Sequence, residues 1–222
     1  MFNKRINIFT GHFGSGKTEV AVNFTLKLAE EYKKVAIVDL DIVNPYFRAA
    51  DVKTQMEEKG IYVVTPMYAN TNIDVPALSS EINTVFQEKE YRAVFDVGGD
   101  DLGARVLSRY HEDILKDDYE LFLVINTRRP ETDNQEKIEE MIHLIESSAR
   151  LKVTSFINNT NLLNDTTLEQ VKKGHELIEK ISKKNNIPIA YVSGFHESLQ
   201  GIDDNFNTEI LFLNKLIKLP WD

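Results

Sequence analysis

Apolar residues along the chain fall into two kinds of stretch that alternate from one end to the other. Short continuous apolar runs predict strands covered on both faces, and apolar residues repeated every three or four positions predict helices. The runs that predict strands are 6–9, 35–40, 61–65, 91–97, 121–126, 152–158 and 187–192. The predicted helices cover about 19–26, 47–58, 75–87, a stretch ending near 115, 131–148, a stretch ending near 183, and 207–218.

This alternation is typical of a mostly parallel sheet with helices on both of its faces. We therefore predict the α/β class, with three layers (α/β/α) and a sheet of about seven strands. Asp165 or Thr166 is the predicted cap of the helix that ends near 183. No repeat, low-complexity tract or linker divides the sequence, so residues 1–222 form one predicted domain.

The last predicted helix, 207–218, is apolar over much of its surface. Its basic residues are Lys215 and Lys218, fewer than a membrane-binding amphipathic helix usually carries. We predict that this helix packs on the sheet, and a membrane-seeking end is the alternative.

Composition narrows the classes of function. The 222 residues carry a formal net charge of −9, which argues against binding to nucleic acid or to an anionic membrane surface. Cysteine is absent, which excludes disulfides, thiolate chemistry and a cysteine-held iron–sulfur cluster. No signal peptide and no apolar stretch of about 20 residues occurs, so we predict a cytoplasmic protein.

The first predicted strand leads into GHFGSGKT, which matches the P-loop pattern G-x-x-x-x-G-K-[ST]. Glycines let backbone N–H groups curl around a phosphate, and the start of the following helix adds positive charge. Lys17 would reach the β- and γ-phosphates, and the Thr18 hydroxyl would bind Mg²⁺. The predicted nucleotide-binding residues here are Gly11, His12, Phe13, Gly14, Ser15, Gly16, Lys17, Thr18 and Glu19.

Two other interpretations of this segment exist. One is a tight glycine turn with an exposed lysine. The other is a dinucleotide-binding G-x-G-x-x-G loop beginning at Gly14, with Asp39 as the acid that binds the ribose. Glu19 occupies the third glycine position of that pattern, where an acidic side chain would prevent close packing of helix and strand.

Carboxylates follow two other predicted strands, at the sheet edge where ligands bind in such folds. Asp96 ends an apolar strand, as a magnesium-binding Walker B carboxylate does, directly or through water. Gly98 and Gly99 follow it, and an N–H group there would contact the γ-phosphate. Asp39 and Asp41 would act on Mg²⁺ and the attacking water. Turn-forming acids are the alternative for all three carboxylates.

Polar residues also follow the fifth and sixth predicted strands. Asn158 and Asn159 offer the donor and acceptor that suit the edge of an adenine base, with turn formation as the alternative. Arg128 and Arg129 would reach a phosphate or the acidic groups of a partner, although a solvated pair is the more common arrangement. The histidines show no metal-ligand spacing, and His12 is given no catalytic role.

Five segments in this order resemble the MinD/ParA group of deviant P-loop ATPases, whose nucleotide-binding domain is of the CobQ/CobB/MinD/ParA type. They are GHFGSGKT (11–18), VAIVDLD (35–41), VFDVGGD (94–100), FINN (156–159) and IP (187–188). The resemblance implies binding of ATP with Mg²⁺, slow hydrolysis, and homodimers that close face to face over nucleotide. It also implies Lys17 on the phosphates, Thr18, Asp41 and Asp96 at the metal or the water, and Asn158 near adenine.

One position departs from that group. Its members usually carry a further signature lysine after the first P-loop glycine, and here that position is His12, with Phe13 in place of the next glycine. The lysine contact that crosses the dimer in that group has no counterpart at this position. Taken together, we predict catalytic roles for Lys17, Asp39 and Asp41 and metal ligands in Thr18, Asp41 and Asp96.

Three functions are compatible with these residues. In the first, Mg-ATP orders the segments after Asp39 and Asp96, and slow hydrolysis releases a protein partner. The second is an ATP-dependent small-molecule kinase or ligase similar to dethiobiotin synthetase, in which residues 67–76 with Arg128 and Arg129 hold an acidic substrate. The third is a nucleotide-binding module without turnover. The chain has no N-K-x-D guanine motif, which favours ATP over GTP.

Overall fold

A computed structural model describes residues 4–41, 52–65, 81–99, 101–202, 206 and 208–216. Within them, eight strands form one sheet in which every neighbouring pair is parallel. The strands are β1 (Ile6–Thr10), β2 (Val35–Asp39), β3 (Tyr62–Val64), β4 (Arg92–Asp96), β5 (Tyr119–Ile125), β6 (Ser155–Asn158), β7 (Ile189–Phe195) and β8 (Glu209–Leu213). Their order across the sheet is β3-β2-β4-β1-β5-β6-β7-β8.

The described helices connect these strands. They are α1 (Lys17–Glu31), α2 (Lys53–Glu58), α3 (Glu81–Gln87), α4 (Asp101–Ser108), α5 (His111–Leu115), α6 (Gln135–Ala149) and α7 (Leu168–Asn185). Short 3-10 turns precede the last two of these, at Pro130–Thr132 and Leu163–Asp165.

The sheet is buried on both faces, as its continuous apolar runs predict. On one face, Phe9 of β1 packs against Phe24 of α1 and Phe122 of β5, with ring centroids 5.0 and 4.9 Å away. On the other face, Ile8 belongs to a cluster that includes Ile138 of α6 and other residues of α3–α7. The predicted three-layer α/β/α fold is therefore confirmed.

Strand β1 lies at the centre and brings the ends of three strands together. It pairs with β4, where Phe9 lies opposite Asp96, and β4 pairs with β2, where Asp39 lies opposite Asp96. Because all three strands run in one direction, their carboxyl ends meet at the segment between β1 and α1. The fold thus places the carboxylates after β2 and β4 beside the glycine loop.

The predicted helix 207–218 is wrong, and an eighth strand takes its place. Leu211 and Leu213 of β8 join the core on the α1 face, whereas Ile210 and Phe212 pack on the opposite side, against residues that include Leu199. Alternate side chains of this segment therefore pack on opposite faces of the sheet, as in a strand. The segment forms a strand because it can hydrogen-bond to β7 and bury apolar side chains on both faces. None of the helices that the structure describes is long and apolar enough to cross a bilayer.

Other differences concern boundaries. The helix predicted to end near 115 is two helices, α4 and α5, with a break at residues 109–110. The starts of the helices predicted at 47–58 and 75–87 lie outside the described residues, as do Asp100 and the loop 67–76.

The cap of helix α7 is Thr167 rather than the predicted Asp165 or Thr166. The Thr167 hydroxyl accepts a hydrogen bond from the Gln170 N–H, and the Gln170 side chain accepts one from the Thr167 N–H at 3.0 Å. This reciprocal capping box satisfies two backbone donors that the helix leaves unpaired.

We expect Thr167→Ala to lower the free energy of unfolding by about 1 kcal/mol, because one helix donor loses its acceptor. Urea denaturation measures the loss. Thr167→Ser keeps the hydroxyl and serves as the matched control, and equal losses in the two variants would contradict a capping role.

Candidate functional site

The glycine loop connects β1 to α1 and is shaped by close contacts. Gly16 has φ 81° and caps α1. A Cβ on Gly16 would lie 2.3 Å from Nδ2 of Asn159, so only glycine fits there. The Ser15 N–H donates to the His12 carbonyl at 2.9 Å, which closes a turn inside the loop. The local sequence therefore folds as a P-loop followed directly by a helix N-terminus.

Lys17 lies buried at the base of this loop and is held by a carboxylate. Its Nζ is 2.6 Å from Oδ2 of Asp41, and the two side chains are 7% and 3% exposed. The Asp41 N–H in turn donates to Oδ1 of Asp39 at 2.9 Å. The structure thus brings together the three residues predicted to be catalytic.

The carboxylates around Lys17 together affect its pKa more than its burial does. Burial by itself lowers the pKa of Lys17, but the charges of Asp96, Asp41 and Asp39 raise it, and the net direction is upward. Lys17 is accordingly a protonated cation among three carboxylates.

Asp96 is fully buried beside Lys17 and the Thr18 hydroxyl, and within the described part of the chain no well-formed hydrogen bond reaches either of its carboxylate oxygens. Burial raises its pKa to about 6, against the opposing effects of Lys17 and Thr18. A buried carboxylate that is not fully hydrogen-bonded costs free energy unless something binds it. Carboxylate and hydroxyl oxygens are the ligands that Mg²⁺ prefers, so Asp96 and Thr18 fit a magnesium ion that is also bound by phosphates.

The segment after β4 lies directly on the P-loop. A Cβ on Gly99 would be 1.9 Å from the Gly11 carbonyl oxygen and 2.8 Å from the His12 nitrogen. Glycine is therefore required at 99 by backbone packing. Because the two backbones are in contact, a displacement of the segment after β4 would also displace the P-loop.

Asn158 and Asn159 are both buried, and their amides serve the fold. Asn159 Nδ2 donates to the Ser15 carbonyl at 2.6 Å, and its Oδ1 accepts from the Ser193 hydroxyl at 2.9 Å. Asn158 Nδ2 donates to the Val171 carbonyl at 3.1 Å, and its Oδ1 accepts from the Thr160 N–H. A contact between Asn158 and adenine stays a prediction, and this arrangement does not support it.

The side chains at three other predicted positions lie away from the loop interior. Phe13 is 62% exposed, and Nδ1 of His12 lies 3.8 Å from a carboxylate oxygen of Glu131. Glu19 Oε1 accepts a hydrogen bond from the Leu216 N–H at 2.8 Å, so it anchors the segment after β8 to α1.

The side chains of the two arginines that follow β5 lie in different places. Arg129 Nε donates to the Gly14 carbonyl at 3.0 Å and so reaches the P-loop. Arg128 is exposed. It lines a cavity of about 460 Å³ together with residues of α7 such as Lys173. The solvated arrangement therefore describes Arg128 alone. The contacts of Arg129 and of Asn159 with the P-loop join residues more than a hundred positions apart, and no local signal in the sequence reveals them.

Comparison with known proteins gives one sequence family and a set of similar folds. The sequence model described as the CobQ/CobB/MinD/ParA nucleotide binding domain matches residues 6–194. No curated protein matches the chain significantly.

Solved structures of FtsY proteins are among those with a similar fold. Chloroplast FtsY from Physcomitrella patens has a TM-score of 0.59 at 16% identity, over 90% of this chain and 60% of that one. Cell division protein FtsY from Thermotoga maritima has a TM-score of 0.55 at 20% identity, over 85% and 60%. The signal recognition particle receptor FtsY from Elizabethkingia anophelis, in complex with GDP, has a TM-score of 0.51 at 19% identity, over 85% and 56%. The chain thus spans at most 60% of each of these proteins.

Proposed function

The chain belongs to the CobQ/CobB/MinD/ParA nucleotide-binding domain family, and from that premise we propose that it binds Mg-ATP, hydrolyses it slowly and acts as a nucleotide-dependent switch on a protein partner. The observation that carries this proposal is the buried ion pair of Lys17 with Asp41, inside a glycine loop at a helix N-terminus.

The ion pair couples phosphate binding to the acidic segment after β2. Lys17 has a carboxylate where a phosphate oxygen would bind, so a γ-phosphate takes Lys17 by displacing Asp41. Asp41, once released, is an acceptor for the attacking water, and Asp39 holds its backbone N–H. A magnesium ion bound by Thr18 and Asp96 would offset phosphate charge.

In the proposed hydrolysis, a water oxygen bonds to the γ-phosphorus while the bond from that phosphorus to the β-bridging oxygen breaks. Asp41 accepts the proton that the water loses, and ADP and inorganic phosphate leave. Lys17 and the P-loop N–H groups stabilise charge on the transferring phosphate.

The switch role follows from which segments meet the phosphate. Asp41 ends the described part of the β2 segment, and Gly99 lies on the P-loop after β4. Nucleotide binding and hydrolysis therefore act on two segments at once, and a protein that contacts either one would sense the nucleotide. A homodimer is one form such a contact can take, with His12 where the group carries its signature lysine.

Adenine rather than guanine is part of the proposal, because the sequence has no N-K-x-D motif. Since one protein of similar fold is in complex with GDP, GTP is the comparison to make. The kinase or ligase alternative relies on residues 67–76, which lie outside the described residues, and of its two arginines only Arg128 is not committed to the P-loop.

The test is phosphate release from Mg-ATP and from Mg-GTP by the purified protein, beside Asp41→Asn. We expect slow release from Mg-ATP and a fall in kcat of about 10²- to 10⁴-fold in the variant, since the water loses its proton acceptor. Asp113→Asn changes the same chemical group on α5, where the side chain is 46% exposed, and should match the wild type.

Three results would redirect the proposal. Tight ATP binding without turnover would favour a binding module. Phosphate transfer only when an acidic metabolite is added would favour a kinase or ligase. Faster release from Mg-GTP than from Mg-ATP would overturn the choice of base.

A further inference from the structure

The phosphate site contains more negative than positive charge before any ligand arrives. Among the described residues, the positive charge of Lys17 lies among three carboxylates, those of Asp39, Asp41 and Asp96, and all four side chains are buried. A nucleoside triphosphate adds further negative charge, and Mg²⁺ offsets only part of it. A second cation close to the P-loop would offset more of this negative charge.

Arg129 is a cation that lies against the P-loop. Its Nε donates to the Gly14 carbonyl, and its Nη2 would lie 3.5 Å from a Cβ on that glycine, so the guanidinium lies against the loop. Within the described part of the chain, its two terminal nitrogens donate no hydrogen bond. Such donors at a phosphate-binding loop favour an anion.

The backbone holds Arg129 in place. Its N–H donates to the Asn126 carbonyl and its carbonyl accepts from the Thr132 N–H, each at 3.0 Å. These bonds fix the turn that follows β5, so the side chain reaches the P-loop from an ordered support. An ordered donor loses little conformational entropy when it binds a ligand.

The partner of Arg129 in the loop is also informative. Gly14 has φ 77° and lies in the turn that Ser15 closes with His12. By binding the Gly14 carbonyl, Arg129 fixes the peptide group that links Gly14 to Ser15, within the loop whose N–H groups would meet phosphate.

We propose that Arg129 is a phosphate-binding residue of this P-loop: through Nε it positions the loop, and through its terminal nitrogens it supplies positive charge to the phosphates of a bound nucleoside triphosphate. This inference rests on the proposed function. Arg128, the next residue along the chain, is exposed in a different cavity and has no such role.

The test is the Kd for Mg-ATP and Mg-ADP, measured by calorimetry over a range of salt concentrations. Arg129→Ala should raise the Kd for Mg-ATP about 10- to 100-fold, as expected for a lost charge-assisted contact. Arg129→Lys should recover part of the loss. Arg129→Gln, which retains a donor but no charge, should not recover it, and its Kd should depend less steeply on salt.

Arg128→Gln is the matched control and should bind Mg-ATP as the wild type does. Thermal unfolding of the nucleotide-free variants separates folding from binding, and the comparison of Arg129→Gln with Arg129→Lys decides the matter even if Arg129→Ala does not fold. Equal losses in Arg129→Lys and Arg129→Gln would overturn the charge role.

The failure of this inference differs from the failure of the proposed function. A wild-type protein that binds no nucleotide overturns both. If the wild-type protein binds Mg-ATP, and Arg129→Ala and Arg129→Gln each bind it as tightly as the wild type does, the inference about Arg129 alone is overturned.

Discussion

Lys17→Met should lower the free energy of unfolding of the nucleotide-free protein by about 3–5 kcal/mol and should abolish nucleotide binding. The size of the stability loss follows from burial. Asp41 is 3% exposed and has Lys17 as its ion-pair partner at 2.6 Å, and Asp39 and Asp96 are buried beside them. Removing the buried Lys17 cation leaves Asp39, Asp41 and Asp96 without the positive charge that lies among them.

Urea denaturation at neutral pH measures the stability loss, and titration with labelled nucleotide measures binding. The double variant Lys17→Met with Asp41→Asn should regain much of the stability, because it also removes one uncompensated charge, but it should not regain binding. Lys34→Met removes a lysine from an exposed ion pair with Glu90 and should unfold at the wild-type urea concentration. A Lys17→Met protein as stable as the wild type would contradict the argument from burial.

Asp96→Asn should have the opposite effect on stability, making the nucleotide-free protein more stable above about pH 6. The pKa of Asp96 is raised from 3.8 to about 6 by burial, so its carboxyl ionises less readily in the folded state than in the unfolded state. Below about pH 4 the group is protonated in both states and costs nothing. Between these values the folded state loses stability, and above about pH 6 the loss is complete, at roughly 2–3 kcal/mol.

Urea denaturation of both proteins at pH 4.5 and at pH 8 tests this expectation. Asparagine cannot ionise, so the gain should be present at pH 8 and small at pH 4.5. The same variant should need a higher Mg²⁺ concentration for nucleotide hydrolysis, because one carboxylate that fits the metal is gone. Equal stability of the two proteins at pH 8 would show that Asp96 is not a destabilising charge.

The parts of the fold that the sequence predicts are those whose signals are local. Strands β1, β2, β4 and β5 are continuous apolar runs, and the P-loop is eight consecutive residues in which glycine, lysine and threonine each have a chemical reason. Their placement together needs only the rule that parallel strands end at one edge of the sheet.

The parts that the sequence does not predict depend on pairing between distant segments. The run that forms β8 satisfies a helical spacing as well as a strand pattern, and its choice depends on an open sheet edge and two apolar layers formed by other elements. Asn159 reads as a base-binding or turn residue until its register places its amide on Ser15. From the sequence, Arg129 is typical of a surface charge. Only the structure shows that the turn after β5 places its Nε on the Gly14 carbonyl.

The ion pair between Lys17 and Asp41 also sets a competition for Lys17. Any anion that approaches Lys17 competes with a carboxylate already in place, so its apparent affinity is lowered by the fraction of time that Lys17 is unpaired. A bare anion leaves the displaced Asp41 without compensation, whereas a nucleotide that arrives with a divalent metal satisfies both groups at once. If the proposed binding mode holds, inorganic phosphate and metal-free nucleotide should compete for Lys17 less well than the metal complex does.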